Sequence, residues 1–139
     1  MATITTSTHI DIAPAAAWHA LRDFANLHTR LAAGFVTDCR VDDDDPDVRT
    51  VTFANGAVAR ERLVTIDDER RQLVYTVVES GLHAEHDSSV ATITADGDGT
   101  CFTWTKHVLP DSLAPVIDGL MAAGVTAIKQ TLERATIAV

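Results

Sequence analysis

Hydrophobic and polar residues alternate along most of the chain, which is the pattern of half-buried β-strands. In the first stretch, residues 3–12, Ile4, Ile10 and Ile12 share one parity and polar residues such as His9 share the other. From residue 35 onward, similar runs recur about every dozen residues, each followed by a polar turn, which predicts an antiparallel meander. The seven predicted strands are residues 3–12, 35–41, 48–53, 58–66, 73–78, 88–95 and 100–108.

Helical periodicity appears twice. After the first strand, Pro14 suits a first helical turn, and Trp18 and Leu21 follow at helical spacing; a second short helix is expected at residues 26–33, before Gly34. After Pro110 one apolar stripe runs through Leu113, Ile117, Leu120, Met121, Gly124, Ile128, Leu132 and Ala135. A long helix with this stripe must cover a large apolar surface, and the concave face of the meander is the surface of that size. The order of elements predicts an α+β fold.

Length and charge indicate a single domain over residues 1–139. The 139 residues include 11 basic and 20 acidic side chains, a net charge of −9, which argues against nucleic acid as a partner. Half of the acidic residues fall in three predicted turns, at residues 42–47, 67–69 and 96–98, where they favour solubility. No signal peptide and no run of about 18 apolar residues is present, so we expect a cytoplasmic protein without membrane insertion.

Motifs for common cofactors and nucleophiles are absent. The chain contains no GxGxxG, GxxxxGK[ST], HExxH or GxSxG, so no nucleotide, metal or other cofactor is expected. His83 and His86 form an HxxH, but they lie in a predicted connection between strands, where solvated histidines are the simpler interpretation. Cys39 and Cys101 are far apart and lack a metal-binding context.

Three consecutive charged residues interrupt the strand at residues 58–66. If Glu61 and Leu63 face inward, a carboxylate lies in an apolar cavity and is a candidate general acid or base; if Arg60 and Arg62 face inward, the cavity recognises an anion. A bulge that lets all three reach solvent is the third alternative. Tyr75 on the next strand either binds a ligand oxygen or extends to the rim.

The chain resembles the START-like (SRPBCC) superfamily, and specifically its polyketide cyclase/dehydrase branch. The resemblance rests on IDIAPAAAWHALRDFANLH at 10–28, VRTVTFANGAVARERLVTIDDERRQLVYTVVES at 48–80 and TCFTWTKHVLP at 100–110. It implies a helix-grip fold, in which a seven-stranded antiparallel sheet wraps around the C-terminal helix and encloses a hydrophobic cavity. Positions that match the cavity-lining stretches of the family are Trp18, Phe24, Phe35, Phe53, Glu61, Leu63, Tyr75, Trp104, Met121 and Gly124.

Three functions remain open at this point. The first is binding of a hydrophobic lipid- or polyketide-like molecule by a monomer or homodimer. The second is a cyclase/dehydrase-type lyase or cyclase, in which Glu61 removes a proton next to a carbonyl while Tyr75 or Arg60 polarises the oxygen. The third is a regulatory protein whose ligand alters a partner-binding surface. The second hypothesis predicts that Glu61→Gln abolishes turnover and leaves folding nearly intact.

Overall fold

The computed structural model describes residues 1–137 of the 139-residue chain, and it has the predicted α+β helix-grip architecture. Seven antiparallel strands form one sheet in the order β1-β7-β6-β5-β4-β3-β2. The strand that begins the chain therefore pairs with the strand that ends the meander. The strands are β1 (Ala2–Ile10), β2 (Val36–Val41), β3 (Val48–Phe53), β4 (Val58–Asp67), β5 (Gln72–Ser80), β6 (His86–Asp96) and β7 (Gly99–Leu109).

The segment after β1 contains one regular helix, α1 (Pro14–Leu21), which begins at the proline as predicted. The second short helix, predicted at residues 26–33, is present as a π-helix (Leu27–Leu31), which follows a short 3-10 helix (Phe24–Asn26). The carbonyl of Phe24 also connects this segment to the sheet, because it accepts a hydrogen bond from Nη1 of Arg49 at 3.0 Å.

The long C-terminal helix, α2 (Ala114–Ile137), lies across the concave face of the sheet and contacts β1 and β7. Its buried residues include Ile117, Met121, Ile128 and Leu132, as the apolar stripe predicts, whereas Ala135 at the end of the stripe is exposed. Among the described residues, Asp111–Ala135 is one helical stretch long and apolar enough to cross a membrane by length and composition. In this fold its apolar face is instead buried against the sheet.

The outer face of the sheet carries cross-strand ion pairs. In the acidic turn between β2 and β3, Asp42 and Asp45 contact Arg60 and Arg62 of β4, with N–O distances of 2.6 and 3.0 Å. Part of the turn that we expected to be simply solvated is therefore anchored to β4. Since Arg60 and Arg62 face outward, the intervening Glu61 faces the concave side.

Candidate functional site

A cavity of about 370 Å³ lies between the concave face of the sheet and α2. Its wall is mostly aliphatic and aromatic, and it is contributed by strands β2 to β7, by α2, by the end of α1 and by the segment around the π-helix. Apolar lining residues include Leu31, Phe35, Phe53, Leu73, Val77, Phe102, Trp104 and Met121. This is the size and composition of a small-molecule site, for which about 300–1,000 Å³ is typical.

Three segments surround the opening through which the cavity reaches solvent. The exposed lining residues come from the β3–β4 turn, the β5–β6 turn and the first turns of α2. Val58 and Val116 are the large apolar residues of this opening, and their side chains are 48% and 44% exposed. An apolar molecule that approaches this opening therefore meets apolar side chains before it enters the cavity.

A buried ion pair forms the polar wall on β3 and β4. Arg49 and Glu61 are directly opposite in the antiparallel register, and Nε and Nη2 of Arg49 both lie 2.8 Å from Oε1 of Glu61. The Arg49 guanidinium also lies 4.1 Å from the centre of the Phe24 ring. Because Glu61 compensates a buried cation, Glu61→Gln is now expected to cost stability, contrary to our expectation from the sequence.

A second buried ion pair lies across the cavity on β6 and β7. Nζ of Lys106 is 2.7 Å from Oδ1 of Asp87, and the two side chains are at most 8% exposed. Burial disfavours the charged form of Lys106, but the interactions with Tyr75, Asp87 and Glu61 together raise the pKa of this ammonium group above its ordinary value. Lys106 is therefore a protonated donor at neutral pH.

Tyr75 on β5 lies between the two ion pairs. The centre of its ring is 5.4 Å from Cζ of Arg49 and 5.7 Å from Nζ of Lys106. Burial, and then the negative charge of Glu61, raise the pKa of Tyr75 above its ordinary value. Its phenol is thus protonated at neutral pH and is able to donate a hydrogen bond.

Seven of the residues that we predicted for the site line this cavity. Five of them are the proposed ligand-binding residues Phe35, Phe53, Trp104, Met121 and Gly124, and the other two are Glu61 and Tyr75. Gly124 does not leave space for a ligand, however. A Cβ atom there would lie 2.9 Å from Cζ3 of Trp104, so the glycine allows the indole to pack against α2.

The remaining four predicted residues lie elsewhere. Arg60 is on the outer face with Asp42, so it does not reach the cavity to polarise a substrate oxygen. Trp18 is buried in the core, and its Nε1 donates to Asp68 Oδ1 at 2.9 Å. Leu63 packs against the core without lining the cavity, and Phe24 contacts Arg49 rather than the open volume.

The three charged residues Arg49, Asp87 and Lys106 were missed. Two of them share strand parity with apolar residues that line the cavity: Arg49 with Phe53, and Lys106 with Phe102 and Trp104. This parity was the available signal, since side chains two residues apart lie on the same face of a strand. Within residues 1–137, no group of three or more His, Cys, Asp or Glu residues is arranged to hold a metal ion.

Comparison with known families agrees with this architecture. The family model described as "Polyketide cyclase / dehydrase and lipid transport" matches residues 1–136. The chain belongs to this family. The polyketide cyclase/dehydrase and lipid transport fold thus accounts for nearly the whole sequence, whereas no curated protein matches it significantly.

Solved structures of the same fold come from several bacteria. The protein XoxI from Bacillus cereus superposes with a TM-score of 0.83 at 19% identity, covering 95% of this chain and 96% of its own. An uncharacterised protein from Bacillus thuringiensis gives 0.81 at 18% identity, with 94% and 98% covered. A protein from Nitrosospira multiformis gives 0.79 at 13% identity, with 94% and 96% covered. At these identities, the similarity shows the shared helix-grip fold.

Proposed function

We propose that this member of the polyketide cyclase/dehydrase and lipid transport family binds a hydrophobic small molecule in the cavity between the sheet and α2. The observation that carries the proposal is the 370 Å³ cavity with an apolar wall and an opening flanked by Val58 and Val116. A core without function would be expected to close such a volume, because protein interiors are tightly packed. We further propose that the protein acts in the cytoplasm, as a monomer or homodimer, without nucleic acid.

Fluorescence titration with N-phenyl-1-naphthylamine, an uncharged apolar dye, tests the proposal. We expect saturable binding of one dye per chain. Val116→Trp places a large ring at the opening and should weaken binding at least about fivefold. Val64→Trp is the matched control, because Val64 is 57% exposed and lies outside the cavity lining. Absence of dye binding, or equal affinities for the two variants, would overturn the proposal.

The second candidate function is proton abstraction next to a carbonyl group. It is favoured by one observation: the carboxylate of Glu61 and the protonated phenol of Tyr75 line the same cavity. In this reaction the C–H bond breaks, its electron pair moves toward the carbonyl oxygen held by Tyr75, and Glu61 receives the proton. The resulting enolate, whose oxygen accepts a hydrogen bond from Tyr75, then takes a proton back at carbon from Glu61, which in D₂O has exchanged that proton for a deuteron.

Proton NMR in D₂O measures this activity on a model ketone, 2-undecanone, as loss of the signals of the hydrogens next to the carbonyl. The wild type should exchange them faster than buffer, and Glu61→Gln and Tyr75→Phe should each slow the exchange at least about tenfold. Circular dichroism of each variant checks folding, since Glu61→Gln also disturbs Arg49. Exchange at the buffer rate in the wild type would exclude this function for simple ketones and leave binding intact.

A further inference from the structure

We propose that the ligand carries an uncharged oxygen acceptor, such as a ketone or ester carbonyl, which Tyr75 and Lys106 bind inside the cavity. This inference rests on the proposed binding function and specifies the chemical class of its ligand. Three observations carry it: the balance of charges in the cavity wall, the presence of incompletely satisfied hydrogen-bond donors, and the position of Tyr75 beside Lys106.

The charged groups of the wall compensate one another. The two cations, Arg49 and Lys106, are each paired with one carboxylate, Glu61 and Asp87, at 2.8 and 2.7 Å. A carboxylate on the ligand would therefore add an uncompensated negative charge to a buried, low-dielectric site, which is strongly unfavourable. A ligand ammonium group would be disfavoured in the same way, because both wall carboxylates already have a cation.

The wall also contains hydrogen-bond donors that are incompletely satisfied; the one wall acceptor that likewise lacks a hydrogen bond, Asp87 Oδ1, is already in ionic contact with Lys106. The ammonium of Lys106 has three N–H groups, and among the described residues Asp87 is its one ion-pair partner. The indole N–H of Trp104 is buried and has no hydrogen-bond partner within the described part of the chain. An indole N–H can only donate, so an acceptor supplied by a ligand is the group that would satisfy it.

Tyr75 adds a further donor next to these groups. Its ring centre lies 5.7 Å from Nζ of Lys106, and that ammonium lies 5.9 Å from the ring of Trp104. Tyr75 and Lys106 are each paired in register with Ser89 of the intervening strand β6, and Trp104 lies two residues from Lys106 on β7, so the three residues belong to one region of the cavity wall. A carbonyl oxygen has two lone pairs, so it can accept from two of them at once without bringing charge.

Displacement of bound N-phenyl-1-naphthylamine by three ligands of matched chain length tests the inference: 2-undecanone, decanoate and decylammonium, at pH 7.5. We expect the ketone to bind at least about tenfold more tightly than either ion. If all three displace the dye equally, or if decanoate is preferred, the ligand class is wrong while the binding function stands. If the dye itself does not bind, the proposed function fails.

Infrared spectroscopy of 2-undecanone labelled with ¹³C at the carbonyl gives a readout that a purely structural role would not affect. The carbonyl stretch should shift to lower frequency on binding to the wild type, and this shift should decrease in Tyr75→Phe, with about fivefold loss of the preference for ketone over decanoate. Thr76→Val is the matched control, since it removes a hydroxyl from the neighbouring position, which lies outside the cavity lining. An unchanged carbonyl frequency in Tyr75→Phe would exclude Tyr75 as the donor.

Discussion

At the scale of single residues, the unusual feature is a set of four charged side chains inside an otherwise apolar wall. Transferring a charge from water to a protein interior costs desolvation free energy. A buried ion pair offsets this free energy only when the two groups are close and their other polar atoms are hydrogen-bonded. Arg49 meets this condition, because it donates to Glu61 and to the Phe24 carbonyl and also stacks on the Phe24 ring. Its position is therefore defined by groups from two different parts of the chain.

Arg49→Met should lower the free energy of unfolding by about 3–5 kcal/mol, because it leaves Glu61 buried without its cation. The double variant Arg49→Met with Glu61→Leu should regain most of that loss, because it leaves neither charge unpaired. Urea denaturation followed by circular dichroism measures each value.

Arg40→Met is the control for this prediction. Arg40 also contacts a carboxylate, Asp38, but its side chain is 82% exposed, so its removal should change stability by at most about 0.5 kcal/mol. A double variant that is as unstable as Arg49→Met alone would contradict the view that the two buried charges compensate each other.

The inward direction of Arg49 follows from the sequence once Phe53 is assigned to the cavity side, because the two residues share strand parity. The sequence left the direction of Glu61 open among three alternatives, and the contact of Arg60 with Asp42 decides it. The partner of each charge depends instead on strand register. In that register Arg49 lies directly opposite Glu61, whereas Asp87 lies opposite Val108 and reaches Lys106 diagonally, and local alternation within one strand does not contain this information.

At the scale of elements, α2 and β7 approach each other closely beside the cavity. Gly124 is the residue of α2 that faces Trp104, and an added Cβ would also lie 3.2 Å from the ring of Phe35. Glycine is unfavourable inside a helix by about 1 kcal/mol relative to alanine. At position 124 this loss of helix stability accompanies close packing of the helix against the indole.

Two alanine substitutions in α2 should therefore have opposite effects. Gly124→Ala should lower the free energy of unfolding by about 1–2 kcal/mol because the new methyl group displaces Trp104. Gly119→Ala should raise it by about 0.5–1 kcal/mol, since a Cβ there meets nothing within 4 Å. Thermal denaturation and tryptophan fluorescence measure both effects; stabilisation by Gly124→Ala would show that the indole is not held by this contact.

The elements themselves were largely predictable from the sequence. Strands and helices follow from local periodicity, which a single sequence contains, and the helix predicted at residues 26–33 is present. Its π-helical form, after a 3-10 helix, was not predicted. The Phe24 carbonyl binds Arg49, a residue 25 positions away in the chain, and a local pattern contains no information about such a contact.

At the scale of the whole molecule, one polar cluster joins three distant segments. At the end of β1, the ring of His9 contacts Asp96 of the β6–β7 hairpin at 2.8 Å and Asp11 at 2.9 Å. The backbone carbonyl of His9 accepts a hydrogen bond from Nζ of Lys129 on α2, and Lys129 also contacts Glu133. Hydrogen bonds to Asp96 and then to Asp11 raise the pKa of His9 above its ordinary value.

Because protonated His9 is favoured in the folded state, its contribution to stability should be complete below about pH 6.5 and should disappear as the pH rises through the raised pKa. His9→Gln should therefore flatten the decrease in melting temperature between about pH 6 and 8. Sodium chloride should weaken the effect in the wild type, since the cluster is exposed. An equally steep decrease in the variant would exclude His9 as its source.

The position of β1 next to β7 also has a consequence for synthesis. Thr3 and His107 are hydrogen-bonded although they are 104 positions apart in the chain. During synthesis β1 therefore has no partner strand until the intervening hairpins have emerged from the ribosome. The 24-residue α2 emerges later still, and until then the apolar concave face is uncovered. A chain that ends at Leu113 should therefore aggregate or bind chaperones, and sedimentation of the truncated product would show it. The cavity therefore first exists only after α2 has been synthesised.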